Sequence, residues 1–134
     1  MKKKRVVILC VVLAVIAAIV IGVSTMLSGV QSNLEALKDM ELQQVDLTAV
    51  KDGVYSGSYS AFPVSAEVNV TVKDHRITGI DLIKHDNGQG TPAEVIPQKV
   101  VESQSLQVDS VSGATYSSRV ILKAIENALL DANP

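Results

Sequence analysis

Among 134 residues the chain has one cysteine, one phenylalanine, two histidines and no tryptophan. A single cysteine excludes any disulfide within the chain, and Cys10 follows Val7-Ile8-Leu9 without the small residues expected before a lipidated cysteine. The metal-ligand spacing of a zinc or iron site is missing. No Ser/His/Asp arrangement for nucleophilic catalysis can be argued either. No G-x-G-x-x-G follows a strand-like run, so a dinucleotide-binding Rossmann unit is unsupported. Positive charge is scarce beyond the N-terminus. With Lys2, Lys3, Lys4 and Arg5 set aside, the totals of 12 basic and 14 acidic residues fall to 8 against 14, a balance of about −6. That balance argues against nucleic acid as a partner and suits a domain that must stay off an anionic membrane surface, although solubility alone favours such a charge. Internal repeats and low-complexity tracts are absent.

What is present starts with a membrane signature. Residues 1–5 form a basic tail, and residues 6–27, Val6 to Leu27, are an unbroken run of apolar and small residues long enough to cross a bilayer. The run exceeds a typical signal-peptide core and shows no A-x-A cleavage site, which favours an uncleaved anchor. Basic residues stay on the cytoplasmic side, so a single-pass chain is expected, with its N-terminus cytoplasmic and the remainder extracytoplasmic. Residues 28–50 carry Leu34, Leu37, Met40 and Val45 among charges, the pattern of a helical stalk or linker. Residues 51–134 are left as one small domain, at a size where a bound cofactor would add useful buried surface.

Within it Val64, Ala66, Val68, Val70 and Val72 alternate with polar residues, the period of a strand with one buried face. Lys73-Asp74-His75-Arg76 supplies a polar turn before a second strand, Ile77 to Lys84, and Val54 to Ser60 makes a third. Thr91, Pro92 and Glu94 read as the N-cap, first position and capping-box acid of a helix that Pro97 interrupts. Gln98 to Ser103 resume it, and Leu106 to Val111 is β-branched enough for a further short strand. The expected class is α+β: a small antiparallel sheet with packed helices, preceded by one transmembrane helix.

Ser112-Gly113-Ala114-Thr115-Tyr116-Ser117-Ser118 then puts hydroxyls and tiny residues just ahead of a helix marked by Val120, Ile121, Ala124, Ile125, Ala128 and Leu129. Unpaired N–H groups and the positive dipole end favour an anion there. Ordinary helix capping accounts for the same serines and threonine equally well. Tyr55, Tyr59 and Phe62 are candidates to stack on an aromatic ring, with core or edge packing explaining the tyrosines as readily.

Taken with Asp109, the segment reads D-S-V-S-G-A-T-Y-S. It resembles the covalent flavin-attachment motif D-x-x-S-G-A-T-x-S/T of the FMN-binding domain family. The resemblance extends from Asp52-Gly53-Val54-Tyr55-Ser56-Gly57 to the C-terminal helix. It implies that Thr115 carries FMN through a phosphoester. Ser112, Gly113, Ala114, Tyr116, Ser117 and Ser118 would surround the phosphate, and the amides of Tyr116 to Ser118 would donate to it. It also implies that the loop from His85 to Gly90, matching H-x-x-x-x-G, approaches the flavin. Ser60-Ala61-Phe62-Pro63 departs from the glycine-rich stretch the family often shows after its first strand.

Flavin chemistry resides in the isoalloxazine ring, so no protein nucleophile or base is needed. The implied function is a membrane-anchored, extracytoplasmic electron-transfer carrier rather than a self-sufficient enzyme. Its implied partners are membrane lipid, a separate flavin transferase using FAD, and an unidentified redox donor and acceptor. A non-covalent FMN-binding or sensing module and a cofactor-free interaction domain are the rival readings.

Overall fold

The computed structural model describes residues 1–86 and 88–132. They divide into two compact units, Met1–Ser32 and a second beginning at Asn33. The first consists of most of helix α1 (Lys2–Lys38), which is long and apolar enough to cross a membrane. Its apolar side chains from Val6 to Leu27 are all exposed. Ser24 Oγ donates to the Val20 carbonyl at 2.8 Å and Thr25 Oγ1 to the Gly22 carbonyl at 2.9 Å. The helix thereby satisfies its own hydroxyls, as an apolar solvent demands.

The second unit is α+β. Strands β1 (Gly53–Ala61), β2 (Val64–Lys73) and β3 (Arg76–Asp86) form an antiparallel meander in the order β1-β2-β3. All five alternating residues of β2, from Val64 to Val72, are buried beneath helix α3 (Thr115–Asp131), while helix α2 (Ile96–Ser103) packs against β3. The two-residue turn between β2 and β3 takes positive φ at both Asp74 (51°) and His75 (59°), the geometry that matches strand twist.

Two bulges govern β3. Ile77 pairs Val72 and Gly79 pairs Thr71, leaving Thr78 extra; Leu82 pairs Val68 and Lys84 pairs Glu67, leaving Ile83 extra. Each extra residue switches the strand's inward face by one position. The second switch turns His85 inward, opposite Ala66, and leaves Lys84 outward opposite Glu67.

Helix α3 is the centre of the unit. Val120, Ile121, Ala124, Ile125, Ala128 and Leu129 are buried as their spacing predicts, but so are Leu122 and Glu126. The extra burial comes from residues 33–50, expected to connect, which instead pack into the core through Leu37 and Val50. Glu126 Oε1 accepts the Gln43 amide at 2.7 Å and its other oxygen pairs with Lys123, tying this strap to the helix. Asp46 accepts from both the hydroxyl and the amide of Thr48, and these bonds hold its carboxyl below the usual carboxylate range.

Gly57 in β1 permits the closest approach of sheet and helix. A Cβ there would collide with the Ala124 carbonyl oxygen and the Ala128 nitrogen. Asn127 Nδ2 adds a bond to the Ser58 carbonyl at 2.8 Å beside that contact.

Three local expectations differ from the structure. Leu106 to Val111 forms no strand. Its backbone is taken by side chains, with the Gln107 amide on Ser105 Oγ and the Val111 amide on Ser118 Oγ, so it has no ladder to join. Thr91 is the first residue of a 3₁₀ turn (Thr91–Val95) whose cap position belongs to Gly90. Pro97 lies in the first turn of α2, where a missing N–H is harmless, so it starts a helix rather than interrupting one.

Candidate functional site

The site is assembled at one end of the sheet from three loops. Val111-Ser112-Gly113-Ala114 is a turn closed by the Ala114 amide on the Val111 carbonyl at 2.9 Å. Its third residue, Gly113, has φ of +79°, a conformation glycine alone adopts without strain, and open space surrounds its Cα. The chain then enters α3 with Ala114 at the cap position, and among the described residues no side chain caps the helix.

Capping therefore does not explain the hydroxyl cluster. The first intrahelical bond runs from the Ser118 amide to the Ala114 carbonyl at 2.9 Å. That bond removes Ser118 from the expected phosphate donors and leaves the amides of Thr115, Tyr116 and Ser117 ahead of it, at the positive end of a helix of 17 residues.

Ser118 serves the scaffold. Its buried hydroxyl accepts the Val111 amide at 3.0 Å and donates to the Ala114 carbonyl at 2.7 Å, clasping the turn from below. Ser118→Ala leaves the Val111 amide without this partner. The expected result is a loss of about 1–3 kcal/mol of stability, read by urea denaturation.

A cleft of about 130 Å³ opens beside the helix start, lined by Val64, Gln89, Gly90, Gly113, Ala114, Tyr116 and Ser117. Five sequence-predicted residues thus meet in one place: Gly90, Gly113, Ala114, Tyr116 and Ser117. Thr115, half-exposed at the first helical position, and Ser112, exposed on the turn, flank the cleft in sequence without lining it. Tyr116 has Lys38 Nζ at 5.6 Å from its ring centroid, while Arg119 donates to the Lys38 carbonyl at 3.2 Å. That bond occupies a side chain otherwise available to an anion.

His85 is not in the loop after β3 but within the strand, its side chain only 2 % exposed. Nδ1 meets Glu94 Oε1 at 3.1 Å, so the Glu94 carboxylate reaches across to the sheet rather than back to a cap. The pair joins the strand before the 88–90 loop to the turn after it. Asp86, alongside, faces outward; its bonds from Ser65 Oγ and then Lys84 keep its carboxyl below the usual range.

Sequence reasoning missed Val64 and Gln89 as walls, Glu94 as the partner of His85, and the clasp made by Ser118. Only Gln89 carried a signal, standing between two glycines.

Residues 63–130 match the family described as the FMN-binding domain. An NADH:acrylate oxidoreductase from Vibrio harveyi is 35% identical over 107 residues, covering 75% of this chain and 10% of that protein. An uncharacterized protein from Treponema pallidum (strain Nichols) is 27% identical over 121 residues, covering 87% of this chain and 34% of that protein. The chain thus spans between a tenth and a third of the length of these two relatives.

Proposed function

This chain belongs to the FMN-binding domain family, and from that premise we propose that it is a membrane-anchored electron-transfer protein carrying FMN covalently on Thr115. The observation that carries the reading is the uncapped start of α3, with Thr115 at its first position behind the open Gly113 turn. The residues present suit an anionic ester: small neighbours, a half-exposed hydroxyl, and helix-start amides that no side chain among the described residues satisfies.

In this reading the amides of Tyr116 and Ser117 hold the phosphate, Gly113 and Ala114 let it approach, and Gly90 bounds the cleft opposite. Ser112 lends its exposed hydroxyl from the turn. Ser118 and His85 act as positioning residues, one clasping the 111–114 turn and the other, through Glu94, joining the elements on either side of the 88–90 loop. FMN supplies one- or two-electron transfer when bound, and the chain's part is to retain it, orient it and limit solvent.

Attachment requires a separate flavin transferase drawing on FAD. The Thr115 oxygen forms the new P–O bond and gives up its proton, the FAD pyrophosphate bond breaks, and AMP leaves. The basic tail Lys2 to Arg5 keeps the N-terminus cytoplasmic, so α1 holds the domain outside. Covalent attachment has a physical logic there, because a dissociated cofactor would be lost by dilution. The oxidoreductase relative supports a redox role; since the chain covers 10% of it, the role carried over is that of an electron-passing module between a donor and an acceptor.

The test is a denaturing gel of protein from its native host, viewed under ultraviolet light. A fluorescent band at the chain's mass is expected. A dark band from yellow native protein favours non-covalent binding, and colourless native protein favours an interaction domain.

A further inference from the structure

The cleft is small for what it is asked to hold. At about 130 Å³ it falls below the range of roughly 300–1,000 Å³ usual for ligand pockets, so it seats one part of a ligand and leaves the rest to find cover outside. A ribityl chain separates the ring of FMN from its phosphate, so with the phosphate at the cleft the ring would need cover from side chains outside it. Aromatic cover is scarce in this chain, which has three tyrosines, one phenylalanine and no tryptophan.

The tyrosines are committed elsewhere. Tyr55 and Tyr59 lie on the helix-covered face of β1, packed against the core, and the Tyr55 hydroxyl donates to the Lys51 carbonyl at 2.9 Å. Tyr116 is a wall of the cleft, with the Lys38 ammonium against its ring. Phe62 is different. It is 58% exposed at the tip of the β1–β2 hairpin, where Ala61 pairs with Val64.

Val64, two residues on, lines the cleft. The tip therefore stands beside the mouth of the site, at the end of the sheet where Ser65 pairs with Asp86 and the chain runs on toward Gly90. A lone exposed apolar residue ordinarily needs no explanation. This one sits beside a small cleft that is open to solvent.

We infer that Phe62 is a flavin-contacting residue: its ring covers the isoalloxazine of an FMN attached at Thr115 and closes the site from the hairpin side. Offset stacking of two aromatic faces is the contact this geometry suits. The inference rests on the covalent reading above and adds to it a position for the ring, over the sheet end rather than over α3.

The experiment uses the full-length, flavin-loaded chain in a Tyr116→Phe background, because a tyrosine touching the ring would quench it by the same route as tryptophan. Indole quenches flavin fluorescence only near contact. Phe62→Trp is expected to lose most of the native fluorescence per bound flavin and to regain it on denaturation. Val54→Trp, an exposed position at the opposite end of β1, is expected to stay bright.

Equal brightness of the two variants overturns the inference while leaving covalent attachment standing. A wild-type band that is dark after denaturation overturns the attachment and this inference with it. Iodide quenching provides a second measure that needs no tryptophan: Phe62→Ala should make the bound flavin more accessible than in wild type, and an unchanged quenching constant counts against the assignment.

Discussion

Thr115→Val is expected to abolish covalent flavin while the domain stays folded. Valine keeps the branched shape of threonine and loses only the hydroxyl, and Thr115 is not the cap, since Ala114 holds that position. The change in stability should stay within about 0.5 kcal/mol, the usual range for a surface position free of special roles. Fluorescence of the denatured band should fall to background in the Val variant and persist in part in Thr115→Ser, which retains a hydroxyl. A thermal melt checks that the fold survives. If the Val variant still fluoresces after denaturation, attachment is elsewhere. Ser112, exposed on the turn, is then the first alternative, ahead of Ser117, which is 2% exposed.

The largest expected effect on stability lies far from that hydroxyl. Gly57→Ala drives a methyl group into the backbone of α3 at Ala124 and Ala128. Backbone cannot rotate aside as a side chain does, so the helix must lift from β1 along their contact. A cost of about 3 kcal/mol or more follows. That is a large share of the roughly 5–15 kcal/mol that holds a domain together. Gly79→Ala is the matched control: it is also in a strand, but its added methyl meets nothing within 4 Å. Urea denaturation should show a lower midpoint for Gly57→Ala and little change for Gly79→Ala. Equal midpoints would mean that α3 does not rest on β1 in solution.

Legibility followed the range of the interaction. β2 could be read because five alternating apolar residues share one buried face, and α3 because its apolar spacing repeats through about three turns. The bulges in β3 left no such trace, since an extra residue changes pairing without changing composition. Residue order alone accordingly puts His85 in a loop, whereas the second bulge turns it into the sheet. Leu106 to Val111 has the residues of a strand but no partner edge, and partners are not written in local propensity.

Within the site, the Gly113 turn and the helix start followed from residue type, because only small residues suit them. Ser118 read as one more hydroxyl among several. Its engagement on both sides depends on the turn folding back over it, a contact of tertiary origin.

The bond between the Gln43 amide and Glu126 has a practical consequence for making the protein without its anchor. A shortened version started at residue 51, where the sequence suggests the domain begins, discards the segment that shields one side of α3. Such a version uncovers the faces against which Leu37 and Val50 pack and takes the amide away from a carboxylate that is 0% exposed in the intact chain. It would be prone to self-association through the stripped side, whatever the state of Thr115. A start at or before Asn33 keeps the shield and still omits the greater part of the apolar helix.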